Sequence, residues 1–163
     1  MNVRLWLKLA LFLVPAVAAV IFLLVRLDPA KKVLRRADAL LATVERSTID
    51  LQGTGEKVDR FNDLAAPTFE IRGPDPVPTG MITRAQAVGL LVEFHESILA
   101  CSVARGEPSI EFPAEDVARL ECKVTVTVNQ GGGSRRVQTY RCRMEFKETE
   151  GEWLLTRLVA DPI

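Results

Sequence analysis

Two side chains of this sequence could transfer protons inside a folded domain. His95 is the only histidine and Tyr140 the only tyrosine, and an imidazole gains or loses a proton near neutral pH. His95 follows Leu91 by four residues, which places both on one stripe of a helix, whereas Tyr140 alternates with Met144 along a strand. The sequence predicts a ligand cavity lined by His95, Tyr140, Met144 and Leu91, with His95 and Tyr140 as candidate catalytic residues.

A structural role is the alternative for this histidine. A histidine on the core side of a helix is stable there with a single hydrogen-bond partner, and the neighbouring Glu93 and Glu96 point to other sides of the helix. Glu70 and Arg157 could add a carboxylate and a cation to the cavity, but nothing in the sequence places them beside His95. The sequence therefore leaves two roles open for His95, that of a general base and that of a structural residue in the core.

The pattern of residues 117–160 predicts three antiparallel strands joined by two glycine-containing turns. Apolar and polar residues alternate along the first two strands, which is typical of a sheet with one buried face. A turn centred on Gly132 sets Arg119 opposite Glu145, and a shift by two residues would oppose like charges, which is destabilising. The same register pairs Glu121 with Arg143, Thr125 with Thr139, Leu120 with Met144 and Cys122 with Cys142.

The cysteines do not form a metal-binding pattern. Cys101, Cys122 and Cys142 lack Cys-x-x-Cys spacing, and a chain with one histidine has few other ligands for zinc. The sequence accordingly predicts no metal and no cofactor. For the opposed Cys122 and Cys142, a disulfide and a pair of adjacent buried thiols are both open.

Helices are predicted upstream of these strands. Asp28-Pro29 offers a capping acceptor followed by proline at the first helical position. Thr83-x-x-Gln86 is a capping-box signature that opens a second long helix, which continues to about Ala100. Its predicted buried stripe is Val88, Leu91, Val92, His95 and Leu99. The sequence also predicts a short helix at residues 56–65, short strands at 69–72 and 109–112, and a proline-rich loop at 73–80.

The first 27 residues are predicted to form a short tail and a single membrane-spanning helix. No charge lies between Lys8 and Arg26, and snorkelling of these two side chains would let residues 5–27 cross ~30 Å of lipid hydrocarbon. A cleavable signal peptide is the alternative, because Ala16-Val17-Ala18 fits a cleavage pattern. Positive charges after the span favour a cytoplasmic domain. Since small proteins with an N-terminal anchor commonly export the domain behind it, we predict an inner-membrane protein with its domain outside the cytoplasm.

Residues 28–163 are predicted to form one domain, since a segment of this length suits a single hydrophobic core. All 21 acidic residues lie in this segment, whereas three of the 21 basic residues precede it. The resulting acidic excess argues against nucleic acid as a partner.

The order of the elements resembles the nuclear transport factor 2-like superfamily, which includes SnoaL-like domains. The resemblance is carried by the helix from Lys31, the helix from Thr83 to Ala100, and residues 117–160 with Gly151-Glu152-Trp153-Leu154-Leu155. It implies an α+β fold in which a curved antiparallel sheet forms a cone against two to three helices, here preceded by the transmembrane helix. It also implies that homodimers can form through the sheet.

Members of this superfamily include isomerases, dehydratases and hydrolases as well as non-catalytic proteins. Here the inward strand positions are apolar apart from Gln138 and Tyr140, so that no inward carboxylate accompanies an oxyanion hole. The sequence therefore favours a membrane-anchored, non-catalytic module that binds a small apolar ligand or a protein. The alternatives are a small-molecule isomerase, dehydratase or hydrolase that uses His95, and an assembly subunit of a bacterial envelope complex.

Overall fold

The computed structural model describes residues 28–48, 53–132 and 134–163. The chain divides into two compact units, Met1–Lys32 and Val33–Ile163. The predicted membrane anchor at residues 5–27 lies outside the described residues. Among the helices that are described, none is long and apolar enough to cross a membrane.

The described residues form three helices and one seven-stranded sheet. In chain order the elements are α1 (Pro29–Val44), α2 (Gly53–Leu64), β1 (Ala65–Arg72), β2 (Gly80–Thr83), α3 (Arg84–Ser97), β3 (Ala100–Arg105), β4 (Ser109–Ala114), β5 (Val117–Asn129), β6 (Arg135–Thr149) and β7 (Glu152–Pro162). The strand order is β2-β1-β7-β6-β5-β3, and β4 also pairs with β5. The predicted α+β class is therefore confirmed.

The sheet is mixed, whereas an antiparallel sheet was expected. β1 pairs with β7 in parallel, and the remaining neighbours pair antiparallel. Strands joined by a tight turn must run antiparallel. β1 and β7 come from opposite ends of the domain, so that no turn constrains their relative direction.

Asp28 caps helix α1 as predicted. Its Oδ1 accepts a hydrogen bond from the backbone N–H of Ala30 at 3.0 Å, and its carbonyl oxygen accepts one from the N–H of Lys32 at 3.2 Å. Further along the helix, Val33 and Ala37 are fully buried one turn apart, as the helical period requires.

Helix α3 begins at the predicted capping box. The backbone N–H of Gln86 donates to Thr83 Oγ1 at 3.2 Å, and the N–H of Thr83 donates to Gln86 Oε1 at 2.8 Å. These two bonds satisfy backbone donors that have no partner within the helix. Leu91 and His95 are buried on this helix, as predicted.

The end of α3 differs from the prediction. The helix stops at Ser97, because Ile98 takes an extended conformation with φ −127° and ψ 155°. This break changes the side on which the next residue points. Leu99, which was expected in the buried stripe, is 52% exposed, and Ile98 is buried in its place.

The register of the β5–β6 hairpin is the predicted one. Arg119 lies opposite Glu145 and forms a salt bridge of 2.8 Å with it, and the hydroxyls of Thr125 and Thr139 are 3.2 Å apart. The even-numbered positions form the apolar inner face. Its buried members are Ala118, Leu120, Cys122, Val124, Cys142, Met144 and Phe146.

Cys122 and Cys142 are directly opposed as predicted, but they are free thiols, so that of the two open alternatives the pair of buried thiols is the one observed. The N–H of Glu148 donates to the carbonyl of the residue opposite, Asp116, at 2.8 Å. Because hydrogen-bonded and non-hydrogen-bonded pairs alternate along two antiparallel strands, the even-numbered pairs of β5 and β6, including Cys122 with Cys142, are the hydrogen-bonded ones. Side chains at such sites stand farther apart than at the alternate sites. A disulfide requires Cβ atoms about 3.5–4.5 Å apart, so the wider spacing accounts for the two thiols.

Trp153 anchors the β6–β7 hairpin, as predicted. The turn residues Glu150 and Gly151 have positive φ angles of 53° and 85°, which suits the twist of a two-residue hairpin. Trp153 is buried next to this turn and packs edge-on against Phe112, with ring centroids 6.0 Å apart.

Two strands were not predicted. β2 has four residues and β3 has six, and both lie at edges of the sheet. Such short segments carry too little alternation to be distinguished from loops. The predicted strand at 69–72 also begins earlier, at Ala65, directly after α2.

Phe146→Ala should lower the free energy of unfolding by about 3–5 kcal/mol, because the ring is 0% exposed at the centre of the inner face. Urea denaturation of the full chain measures the change. Val137→Ala on the same strand is the control, since Val137 is 57% exposed and its truncation should cost less than about 0.5 kcal/mol. Equal losses in the two variants would contradict the assigned faces of β6.

Candidate functional site

The four predicted cavity residues lie in two groups. Leu91 and His95 are buried on α3, whereas Met144 belongs to the main apolar core and Tyr140 is half-buried beside it. The Tyr140 hydroxyl donates to Gln138 Oε1 at 2.6 Å, and burial, followed by the nearby Cys142, raises the pKa of Tyr140. The depressions of about 830 Å³ and 550 Å³ on the described surface are not lined by His95, Tyr140 or Leu91, whereas Met144 contributes to the lining of the first.

Each of the three described helices carries one buried polar side chain. His95 of α3 is 1% exposed and Lys57 of α2 is 6% exposed, and Thr43 of α1 is also buried. Burial of an ionisable group is costly unless the protein supplies partners for it. Groups of this kind are therefore candidates for function as well as for structure.

Lys57 is held by the segment that follows α1. Its ammonium group donates to the carbonyl oxygen of Glu45, and the Glu45 carboxylate accepts a hydrogen bond from the N–H of Val103 at 3.2 Å. The last carbonyl groups near a helix end are natural acceptors for a lysine, because the helix leaves them without internal partners.

Arg46 joins the same segment to β3 and to the end of α3. Its backbone N–H and carbonyl both bond to Cys101, at 2.8 Å each, and its guanidinium donates to the carbonyl of Ile98 at 3.0 Å. The N–H of Ile98 in turn approaches the carbonyl of His95 at 3.5 Å. We call Glu45, Arg46, Lys57, His95 and Cys101 the helix-end cluster, because these bonds connect them through the backbone.

The thiol of this cluster is not a nucleophile near neutral pH. Burial, together with the Glu45 carboxylate, raises the pKa of Cys101 to about 11, and the Lys57 ammonium acts in the opposite direction. Thiol chemistry requires the thiolate. Cys101 therefore contributes a small neutral side chain to the cluster.

His95 and Lys57 are the kinds of buried side chain that an acid–base site can use. A neutral imidazole can accept a proton, and a fixed ammonium group can stabilise negative charge that develops in a transition state. No group of three or more histidine, cysteine or carboxylate side chains suited to a metal ion occurs among the described residues.

The sequence predicts a short helix at residues 56–65, but Lys57 was not identified as one of its buried residues. Lys57 and Leu64 are the buried residues of α2. They are seven residues apart, which is two helical turns, so that they share one side of the helix. This spacing was the available signal, but a lysine is rarely buried.

A wide charged depression lies on the polar sheet face, which we define as the side that carries the odd-numbered positions of β5 and β6. Its volume is about 830 Å³, and residues of β5, β6 and β7 contribute to its lining. The basic side chains that line it are Arg72, Arg119, Lys123, Arg141, Arg143 and Arg157.

A smaller depression of about 550 Å³ follows the edge of β3. Glu45, Arg46 and Cys101 of the helix-end cluster line it, together with Arg135 at the start of β6. The cluster therefore reaches the surface at this edge, although His95 does not line the opening.

The sequence profile of the SnoaL-like domain family matches residues 55–159 of the 163-residue chain. The chain belongs to this family. The match begins in α2 and ends in β7, so that it includes Lys57 and His95 of the helix-end cluster as well as the polar sheet face. None of the curated proteins matches the sequence.

Solved structures of similar fold include enzymes. A hexachlorocyclohexane dehydrochlorinase from Novosphingobium barchaimii is 14% identical, with a TM-score of 0.68 over 84% of this chain and 88% of that one. A candidate scytalone dehydratase from Novosphingobium aromaticivorans is 14% identical, with a TM-score of 0.63 over 85% and 86%. The Kfla4162 protein from Kribbella flavida is 10% identical, with a TM-score of 0.68 over 82% and 89%. Identities this low establish the fold alone.

Alkaline pH should destabilise the fold through its buried thiols. Burial raises the pKa of Cys142 to about 12 and that of Cys101 to about 11, from 9.0, so the unfolded chain releases these protons first. Their stabilising contribution is complete below pH 9 and is lost as the pH rises toward the folded values. Urea denaturation at increasing pH should show a falling free energy of unfolding. Each thiol should contribute at most about 1.4 kcal/mol for every unit by which the fold raises its pKa.

Cys142→Ala removes one of the two groups, so that the decline of unfolding free energy between about pH 9 and 11 should be shallower in the variant. The other groups that titrate in this range are the same in both proteins, so the difference between the two slopes is due to Cys142. Equal slopes in the two proteins would show that the Cys142 thiol is not kept neutral by the fold.

Proposed function

We propose that this chain is an acid–base enzyme that eliminates a small leaving group from a small molecule, as a dehydratase does, with His95 as the general base. The observation that carries the proposal is the burial of two ionisable side chains on neighbouring helices, Lys57 on α2 and His95 on α3. Membership of the SnoaL-like family supports it. So do the names of two proteins of similar fold, a dehydrochlorinase and a candidate dehydratase.

An elimination needs the two groups that this cluster supplies. The imidazole of His95 takes the proton from carbon, the electrons of that C–H bond form the new double bond, and the leaving group departs with its bonding pair. Lys57 stabilises the negative charge that develops as the proton is lost, and an environment of low polarity strengthens this attraction. The burial of His95 and Lys57 keeps bulk water away from both groups.

The proposal requires a movement when substrate binds, because His95 is 1% exposed. The opening at the edge of β3 reaches Glu45, Arg46 and Cys101, and the hydrogen bonds of Arg46 to Cys101 and Ile98 hold the helix ends together there. Separation of these contacts would admit a small molecule. Motions of this kind gate many active sites.

A non-catalytic binding module is the second candidate. The observation in its favour is the apolar inner face of β5 and β6, where Tyr140 and the exposed Gln138 bond to each other through their side chains. In this case His95 and Lys57 serve only to join the helices to the sheet.

His95→Gln should lower kcat by about 100-fold or more, because glutamine cannot accept the proton. The substrates are a panel of small β-hydroxy ketones and secondary halides. Mass spectrometry of the organic product detects the loss of water, and an ion-selective electrode measures the released halide. The protein is the full chain in a mild non-ionic detergent.

Leu91→Met is the matched control, since Leu91 is buried on the same side of α3 and the substitution preserves volume and polarity. It should retain turnover. Unchanged kcat in His95→Gln would refute the role of His95. Absence of turnover across the panel, combined with saturable binding of one compound, would establish the binding module instead.

We also propose that residues 5–27 anchor the protein in the inner membrane with residues 28–163 outside the cytoplasm. The uncharged stretch between Lys8 and Arg26 supports this. The protein should stay with membranes in alkaline carbonate, and deletion of residues 2–27 should release it. Alkaline phosphatase fused after Ile163 should be active, since it folds only outside the cytoplasm. An inactive fusion with a stable anchor would reverse the orientation.

The homodimer through the sheet and the role as an assembly subunit stay predictions. Light scattering of the detergent-solubilised chain gives the number of copies. Co-purification of several different membrane proteins would favour the assembly subunit, and recovery of one or two copies alone would count against it.

A further inference from the structure

The polar sheet face contains one pairing of like charges. Where two charged residues stand directly opposite on β5 and β6, Arg119 faces Glu145 and Glu121 faces Arg143, but Lys123 faces Arg141. Like charges in this arrangement repel each other and weaken the sheet. The odd-numbered pairs alternate with the hydrogen-bonded ones, so Lys123 and Arg141 occupy a close pair with Cα atoms about 4.5 Å apart.

Several carboxylates on or beside this face are engaged with other cations. Among the described residues, ion pairs on or beside this face are Arg119–Glu145 (2.8 Å), Arg143–Asp161 (2.5 Å), Arg72–Asp161 (3.5 Å), Arg157–Glu70 (3.2 Å) and Lys147–Asp116 (3.9 Å). Glu121 approaches Arg141 only to 3.8 Å, and both side chains are more than half exposed. Lys123 forms no ion pair within the described part of the chain.

The like-charge pair lies in the lining of the large depression. Its volume of about 830 Å³ falls in the usual range of small-molecule sites, roughly 300–1,000 Å³. Val159 lines it and is buried although it lies on the polar face, and Ser109 adds a hydroxyl from β4. Glu107 and Glu111 also line it, and neither forms an ion pair with Lys123.

We propose that this depression binds a small organic molecule through a doubly charged phosphate monoester group, which Lys123 and Arg141 contact together. Two cations that stand directly opposite on neighbouring strands can contact one anion together. A compact dianion therefore suits them better than a ligand with two separated carboxylates. The guanidinium of Arg141 offers two parallel donors to phosphate oxygens, and Lys123 adds a point charge. Arg143 is next on the same side of β6 and also lines the depression.

This site is distinct from the helix-end cluster. His95 and Lys57 belong to the helices, whereas Lys123 and Arg141 belong to the polar sheet face, and neither His95 nor Lys57 lines the depression. Failure of the proposed elimination would therefore leave the proposed binding site unaffected, and the reverse also holds.

Isothermal titration of the full chain in non-ionic detergent tests the proposal, with phenyl phosphate as the probe at low salt and about pH 8, where its phosphate carries close to two charges. We expect saturable binding with one site per chain. Phenyl sulfate has the same ring and one charge, and it should bind about fivefold or more weakly, as should phenyl phosphate to Lys123→Gln.

Lys147→Gln is the matched control, since Lys147 carries the same charge on the same face but does not line the depression. Its affinity for phenyl phosphate should equal that of the unmodified chain. Lys123→Glu should abolish binding without lowering the midpoint of thermal unfolding, because it replaces the repulsion of Arg141 by attraction.

Three results would overturn the proposal. One is equal affinity for phenyl phosphate and phenyl sulfate. Another is an equal loss of affinity in Lys123→Gln and Lys147→Gln, which would indicate attraction by overall charge. The third is an absence of saturable binding to the unmodified chain, which is also the result expected if a second copy of the chain covers this face.

Discussion

The alternation of side chains along β5 and β6 is the constraint on which the rest of the structure depends. A shift of one residue would turn Arg119 and Glu121 into the interior and Leu120 and Cys122 toward solvent, so the apolar inner face permits one register only. Once this register is set, the inner face must be covered by helices and the opposite face must remain polar. Both candidate sites lie outside this apolar interior, one at the ends of the helices and the other on the polar sheet face.

The helix-end cluster also forms hydrogen bonds with the exposed backbone groups of the edge strand β3. An edge strand exposes backbone donors and acceptors that would otherwise pair with another chain. Here Arg46 forms two backbone bonds to Cys101, and the Glu45 carboxylate accepts from Val103. The same residues bring Lys57 into the interior, so that closure of the edge and assembly of the polar cluster are one arrangement.

Most oppositely placed charges on β5 and β6 support the register, but one charged pair does not. Opposite charges meet at Arg119 with Glu145 and at Glu121 with Arg143, whereas like charges meet at Lys123 with Arg141. Since the apolar face decides the register, the polar face can tolerate one repulsive pair. A departure from local consistency that costs stability is expected where function requires it, and this pair lies in the lining of the charged depression of about 830 Å³.

Local signals were sufficient for much of the fold. The caps at Asp28 and Thr83, the hairpin register and the burial of Trp153 depend on residues close in sequence or joined by one turn, because such contacts are set by helical and strand periods alone. Only the tertiary structure decided that β1 pairs with β7 in parallel, that Lys57 is buried, and that the segment after α1 bonds both to Lys57 and to Cys101. These features arise from segments far apart in the chain, and no periodic pattern encodes which of them meet.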